Sequence, residues 1–266
     1  MNRYAVVIPA YNESATIRDV VSRARRQAEI VIVVDDGSSD GTAEALAGLD
    51  VVLIRNDINS GKAASLWRGV DRALAMGAEA VITLDADGQH EPEDIPRFLA
   101  AVQAFPGMIV IGSRLHEKQA FPTSRYRANR AAKFCISWAA GYAIEDTQSG
   151  FRLYPASLLR TIRAAHDTSH SFVFESEILI ELGRKGVRSV ALPIRAIYGC
   201  HERASHFRPV LDIARIARMV VWKLIAWGFY LPGLVRSLRY PPLRVSDSGK
   251  PGSAGQEAVE EGSLVG

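Results

Sequence analysis

Asp85 and Asp87 stand one residue apart in Val81-Ile-Thr-Leu-Asp-Ala-Asp-Gly-Gln-His90, directly after an apolar run. Adjacent carboxylates repel and raise one another's pKa unless a cation compensates. Hard oxygen ligands suit Mg2+ or Mn2+, which keeps waters and shares its sphere with substrate phosphates. The same pair also serves as a turn, with Asp87-Gly88 reversing the chain and a carboxylate capping the next helix. The pair has company that bears on the choice. Pro9-Ala-Tyr-Asn-Glu13, Asp35-Asp36-Gly-Ser-Ser-Asp40 and Gly112-Ser-Arg114 also follow apolar runs. The Asp/Ser-rich stretch caps a helix from Gly41 and leaves Asp36 as an exposed carboxylate for a nucleobase or ribose. Asn59-Ser-Gly-Lys62 is only part of a phosphate loop, because no Gly stands at position 56. Lys62 is therefore either a helix-start cation near a diphosphate or a solvated surface lysine.

Strands must carry these residues to one place. The runs Ala5–Ile8, Ile30–Val34, Val51–Ile54, Ala80–Leu84 and Met108–Ile111 are rich in Val and Ile and nearly continuous, as in strands covered on both faces. Helical patterns lie between them at Ser14–Gln27, Gly41–Leu49, Lys62–Met76 and Glu93–Ala104, the last preceded by Pro92 at a first-turn position. Strand–helix alternation predicts an α/β fold with a mostly parallel sheet flanked by helices and right-handed crossovers. In such a sheet ligands bind beyond the carboxyl ends of the strands, where the acidic residues collect. After Arg114 the alternation lapses. Ser124–Ala140, Ala156–Ala165 and Phe174–Lys185 are predicted helices, and Phe151–Tyr154 and Ser189–Ile197 are predicted strands.

The chain has 266 residues, 48% hydrophobic and 23% charged, with a net charge of +3. That length fits one large α/β domain or two small ones. The small net charge argues against nucleic-acid binding, and the composition against disorder throughout. Cys135 and Cys200 form no metal-ligand spacing and are read as inert thiols in a reducing cytosol. No signal peptide is read at the start, since Pro9 ends the first apolar run. Pro232-Gly233 interrupts the longest late uncharged stretch, so no membrane span is expected.

Val6-Val-Ile-Pro-Ala-Tyr-Asn-Glu13, Val33-Val-Asp-Asp-Gly-Ser-Ser-Asp-Gly-Thr42, Asn59-Ser-Gly-Lys62 and Leu84-Asp-Ala-Asp-Gly-Gln89, in this order, resemble the inverting, nucleotide-sugar-dependent glycosyltransferases of family 2, which have the GT-A fold. Gly112-Ser-Arg114 and Asp146-Thr-Gln-Ser-Gly-Phe-Arg152 are similar to the branch of dolichyl-phosphate mannose synthases and bacterial polyprenyl-phosphate glycosyltransferases. The resemblance covers residues 4 to 210. It implies that Pro9, Tyr11, Glu13 and Asp36 line a nucleoside pocket, with Asp85 and Ala86 against the ribose and diphosphate. It implies that Asp87 and Gln89, with Asp85 beside them, hold Mg2+ or Mn2+. Arg114 and Arg130 would meet phosphate, and Asp146 would lie near the acceptor as base or positioning group. For both arginines a surface salt bridge is the plain alternative. The implied donor is a nucleoside-diphosphate sugar and the implied acceptor a polyprenyl phosphate. The chain departs from the closer synthases at Tyr198-Gly-Cys-His-Glu-Arg-Ala-Ser-His206. There Ser205-His206 replaces Ser-Lys and Arg203 is the nearby cation, so the donor sugar stays unassigned; His201 and His206 also read as ordinary loop histidines.

Three segments follow: a GT-A-like domain over 1–206, an amphipathic helical segment over 207–245, and a disordered tail over 246–266. On a helical wheel Ile213, Ile216, Ala217, Val220, Val221, Leu224 and Trp227 share one face, opposite Arg208, Arg215, Arg218 and Lys223. Such a helix either lies in an anionic membrane interface or packs its apolar face on the domain. The first choice implies a cytoplasmic protein held peripherally at the inner face of the membrane. A glycan or lipid hydroxyl acceptor, a metal-dependent nucleotidyltransferase and a non-catalytic nucleotide-sugar sensor remain the rival readings.

Overall fold

A computed structural model describes residues 3–114, 123–163, 174–195, 197, 209–226 and 228–245, with the side chains of 123–129, 174 and 209–216 outside that description. The expectations for Cys200, His201, Arg203, Ser205, His206 and the 246–266 tail fall on residues outside it. The chain divides into two compact units, residues 1–99, 150–174 and 194–202 in the first and 100–149, 175–193 and 203–266 in the second.

In the first unit the Val/Ile runs become β1 (Tyr4–Ala10), β2 (Ile30–Asp35), β3 (Val52–Arg55) and β4 (Ala80–Thr83), joined by β6 (Arg152–Pro155). Their order is β3-β2-β1-β4-β6. The first four pair in parallel, with Ala10 opposite Asp35 and Val7 opposite Thr83, and β6 runs antiparallel to β4. The core strands are buried along their length, as their unbroken apolar pattern requires. With them lie α1 (Ile17–Gln27), α2 (Lys62–Ala75) and the start of α3 (Ile95–Ala104), whose residues from 100 onward belong to the second unit, and α5 (Ala156–Arg163) follows β6. A Cβ on Gly69 would collide with Val7 and stand 3.2 Å from Val34, so the missing side chain lets α2 lie directly on β1 and β2. That close approach sets the position of Lys62 at the start of the helix.

The second unit carries β5 (Ile109–Ser113), β7 (Ser189–Pro193) and β8 (Leu243–Arg244), paired in parallel in that order. Its helices are α4 (Thr123–Ala140), α6 (Phe174–Arg184), α7 (Pro209–Ala226) and α8 (Leu231–Arg239). The α/β class and mostly parallel pairing are as expected.

Several local expectations are corrected. The helix over Gly41–Leu49 is only a 3-10 turn at Glu44–Leu46, because Gly41 and Gly48 both take positive φ and leave too few residues for a helix. The strand from Ser189 ends at Pro193 rather than Ile197. β8 was not expected at all. The helical pattern from Phe207, expected to run to about Tyr230, gives α7 and ends before Phe229 and Tyr230, which take left-handed φ of 63° and 37°; α8 beyond them was not expected, and both helices pack on α4.

Candidate active site

Parallel register brings the ends of β1, β2 and β4 to one edge of the first unit, so the loops that follow them meet there. The loops after β1 and β2 are laced together. Asn12 N–H donates to Ser38 Oγ (2.9 Å), Glu13 N–H to Thr42 Oγ1 (2.8 Å), and Ser14 N–H to Asp40 Oδ2 (3.0 Å). Asn12, at φ 56°, returns the contact by accepting Ser39 N–H at 3.0 Å. Thr16 Oγ1 donates to the Ala86 carbonyl at 2.8 Å and ties this lattice to the loop after β4. Pro9, Tyr11 and Glu13 are half-buried along the same edge, and Ala86 is buried.

Asp36 departs from the expectation. It is not an exposed acceptor; it is buried and takes hydrogen bonds from Asn56 Nδ2 (2.6 Å), Ser60 N–H (2.9 Å) and Gly61 N–H (2.8 Å). The short stretch before α2 needs an anchor for its amides, and Asp36 supplies it. Asn56, which sequence reasoning passed over, is buried beside it and accepts from Arg68.

Asp85 is different: it is half-buried, and the Lys62 ammonium lies 2.7 Å from its Oδ1. His90 lies on its other side, with Nε2 3.9 Å from Oδ2. Asp87 is exposed, and its Oδ1 accepts the Gln89 N–H at 3.0 Å, a turn of the kind expected for Asp-Gly. Turn and ligand roles are thus compatible. Asp85 already faces a cationic group, and Asp87 and Gln89 add hard oxygens. No group of three His, Cys, Asp or Glu side chains converges among the described residues. An ion bound here would complete its sphere with phosphate oxygens and water, as Mg2+ commonly does. The donor set fits a hard divalent cation.

Arg114, Arg130 and Asp146 lie in the second unit. Asp146 is 5% exposed, and backbone amides hold both its oxygens: Arg114 N–H on Oδ2 (3.3 Å), and Gln148 and Ser149 N–H on Oδ1 (3.0 and 3.2 Å). Beside it, buried Glu145 pairs with Arg244 at 2.7 Å. The Arg114 side chain is half-buried and Arg130 is exposed on α4. Cys135 is a free, half-buried thiol pushed up from its ordinary pKa by burial.

The model of glycosyl transferase family 2 matches residues 5–183. The UDP-N-acetylglucosamine–dolichyl-phosphate N-acetylglucosaminyltransferase of Methanococcus voltae is 27% identical over 240 residues, 82% of this chain and 95% of that one. The undecaprenyl-phosphate mannosyltransferase of Micrococcus luteus is 32% identical over 202 residues, 72% and 82% of the two chains. Among solved structures, glucosyl-3-phosphoglycerate synthase of Mycobacterium tuberculosis, crystallised with Mn2+, UDP-glucose and phosphoglyceric acid, aligns with a TM-score of 0.60 at 21% identity. The alignment covers 85% of this chain and 79% of that one, and it bears out the GT-A-like fold. The matched stretch contains every residue of the acidic edge and of the Asp146 loop, and by that match this chain belongs to glycosyl transferase family 2 and is a glycosyltransferase.

Proposed function

We propose that the chain transfers a sugar from a nucleoside-diphosphate sugar to a polyprenyl phosphate, inverting the anomeric centre, at the cytoplasmic face of a membrane. The observation that carries the choice of acceptor is the state of Asp146. With both oxygens accepting backbone N–H groups, it is engaged in ordering its own loop. A hydroxyl nucleophile needs a base; a phosphate is already anionic and needs none. The relatives that act on dolichyl and undecaprenyl phosphates support the same choice.

Pro9, Tyr11 and Glu13 receive the nucleoside, and Asp36 serves that pocket from behind by fixing the Ser60 and Gly61 amides. Asp85 and Ala86 lie against the ribose and diphosphate. Asp87 and Gln89, with Asp85 beside them, would hold Mg2+ or Mn2+, whose Lewis acidity stabilises the departing diphosphate. Lys62 adds positive charge beside Asp85. Arg114 and Arg130 neutralise phosphate in the second unit. The acceptor oxygen bonds to the anomeric carbon as the bond to the diphosphate breaks, and the nucleoside diphosphate leaves with both electrons.

The reading of α7 and α8 as membrane-facing is supported in a revised form. The wheel put Val220, Val221 and Leu224 on one face, for a membrane or for the domain, and Val220 and Leu224 are buried. Lys223, expected outside, pairs with Glu177 (3.3 Å) and Glu181. Val221 is exposed, and the exposed apolar set is completed by Trp222, Ile225, Phe229, Leu231, Val235 and Leu238, with exposed Arg218, Arg236 and Arg239 among them. Apolar and cationic groups together suit an anionic lipid surface. No helix among the described residues is long and apolar enough to cross a membrane.

The test is to incubate the protein with Mn2+, labelled nucleotide sugars and polyprenyl phosphate in anionic vesicles. Metal-dependent glycolipid is expected with one donor. Asp146→Asn is expected to keep activity within about tenfold of wild type, since it keeps the size of the side chain and the acceptor for Gln148 and Ser149, losing the charge and the weaker bond from Arg114 N–H. Trp222→Glu is expected to lose vesicle binding. Absence of product with every donor overturns the reading, and abolition of turnover in Asp146→Asn would return the hydroxyl acceptor.

A further inference from the structure

His90 had no role in the chemistry read from the sequence, yet it is 1% exposed and directly flanks a site carboxylate. Its Nε2 lies 3.9 Å from Asp85 Oδ2, within ion-pair range and beyond a hydrogen bond. The imidazole packs at 5.5 Å against the Phe151 ring, tilted by 52°, and Phe151 is stacked on Phe98 at 4.2 Å. Both phenylalanines are fully buried, so the imidazole is backed by the core. The backbone is also held: the Gln89 carbonyl accepts the Ile197 N–H at 3.2 Å, and Asp87 fixes the Gln89 amide.

The other flank of Asp85 is formed by Gly150, the residue preceding Phe151. A Cβ built on Gly150 would stand 2.6 Å from Asp85 Oδ1 and 2.7 Å from its Cγ, and would collide with Oδ2 as well. No side chain fits there while the carboxylate keeps its place. The Gly150 backbone is itself anchored, since its carbonyl accepts the Thr83 hydroxyl at 2.7 Å from the end of β4. Asp85 is therefore bounded on three sides: by the Lys62 ammonium at 2.7 Å, by the buried His90 ring, and by a glycine backbone with no room for a methyl group.

We propose that His90 and Gly150 are positioning residues for Asp85, holding its carboxylate in the single orientation in which it meets the nucleotide and Lys62. The proposal rests on the glycosyltransferase reading and assigns the chain's Gln-His and Ser-Gly-Phe segments a shared task at one carboxylate. A half-exposed aspartate ordinarily samples more than one rotamer. Confining it in advance lowers the ordering cost when donor binds, which appears as tighter binding and faster turnover.

Two measurements test it. The first needs no ligand: the imidazole 15N signals are recorded in wild type and in Asp85→Asn, with His90 assigned by loss of its signals in His90→Phe. A shift of the His90 signals on removing the Asp85 charge is expected; unchanged signals overturn the contact and with it the proposal, whatever the protein catalyses. The second is a mutant cycle read by calorimetric titration of UDP with Mn2+ and by turnover. His90→Phe and Gly150→Ala are each expected to weaken binding and lower turnover about tenfold at a melting temperature within a few degrees of wild type, and His90→Asn to recover part of the loss. In an Asp85→Asn background both substitutions are expected to have almost no further effect. Full additivity there would show that the two residues act on the fold rather than through Asp85. Should His90→Phe fail to fold, Gly150→Ala, which displaces the carboxylate directly, decides alone. Wild type that binds no nucleotide fails the functional reading instead, and the imidazole experiment still judges the contact.

Discussion

Two acidic loops at the same edge of the first unit start from similar sequences and end in opposite conditions. Asp36, after β2, is buried under three hydrogen-bond donors, two of them the amides of Ser60 and Gly61. Asp85 and Asp87, after β4, remain partly open, and their neighbours are a lysine, a histidine and a turn amide. The difference lies in what the fold aims at each carboxylate. A carboxylate surrounded by backbone N–H groups becomes a bracket for the chain, whereas one facing a side-chain ammonium can exchange partners when a ligand arrives. Composition cannot separate the two, because both loops read as two closely spaced Asp and a Gly after an apolar strand.

Replacing one carboxylate in each loop should separate catalysis from architecture. Asp87→Ala removes a hard oxygen from the cation-binding set of an exposed turn. Its glycosyl transfer is expected to fall about 100- to 1,000-fold, the scale of losing one transition-state contact, with the melting temperature nearly unchanged. A variant with near-normal transfer would move the cation away from this loop. Asp36→Ala is expected to do the reverse. It removes the acceptor of the Ser60 amide and one acceptor each of Asn56 and the Gly61 amide, at about 1–3 kcal/mol for a buried group left unsatisfied. The melting temperature should drop by several degrees, and turnover per folded molecule should fall much less than in Asp87→Ala. Equal melting temperatures for wild type and Asp36→Ala would mean that the loop over 59–61 does not depend on this anchor.

The strand ends were legible in the sequence because long Val/Ile runs have one physical solution in a covered parallel sheet, and the polar residues after them must then gather at one edge. That reasoning found β1 to β5 and brought Pro9, Glu13, Asp85 and Asp87 together. It failed where tertiary contacts outweigh local pattern. Gly41 and Gly48 cut a helix to one 3-10 turn, and β8 forms from two residues whose only reason to be extended is β7 beside them. The apolar wheel of α7 was visible, but not which part of it α4 would cover. His90 was unreadable for the same reason: a histidine after a D-x-D turn says nothing of the Phe151–Phe98 stack behind it. The three amides on Asp146 were also hidden, although Asp-x-x-Ser is a spacing at which an aspartate readily accepts from the amides two and three residues on.

The smallest effect in this comparison concerns Asp40, which closes the first loop. Burial alone would raise its pKa, but hydrogen bonds from the Thr42 hydroxyl, the Ser14 amide and the Thr42 amide outweigh that and bring it from 3.8 to about 2. The folded value therefore lies below the unfolded one. The sign follows: the stabilisation is complete above pH 3.8 and is lost as pH falls through about 2. Asp40→Asn keeps much of the shape but cannot lose a charge. The stability difference between wild type and Asp40→Asn, measured by urea unfolding at fixed salt, should be constant at neutral pH and shrink between pH 4 and pH 2. Because Asp40 is exposed, solvent screens the interaction and the change should be small. A difference that stays flat across that window would mean that the β1 and β2 loops are held by the Ser38 and Thr42 hydroxyls without help from the charge, making the first loop a neutral lattice around the buried Asp35 and Asp36 side chains.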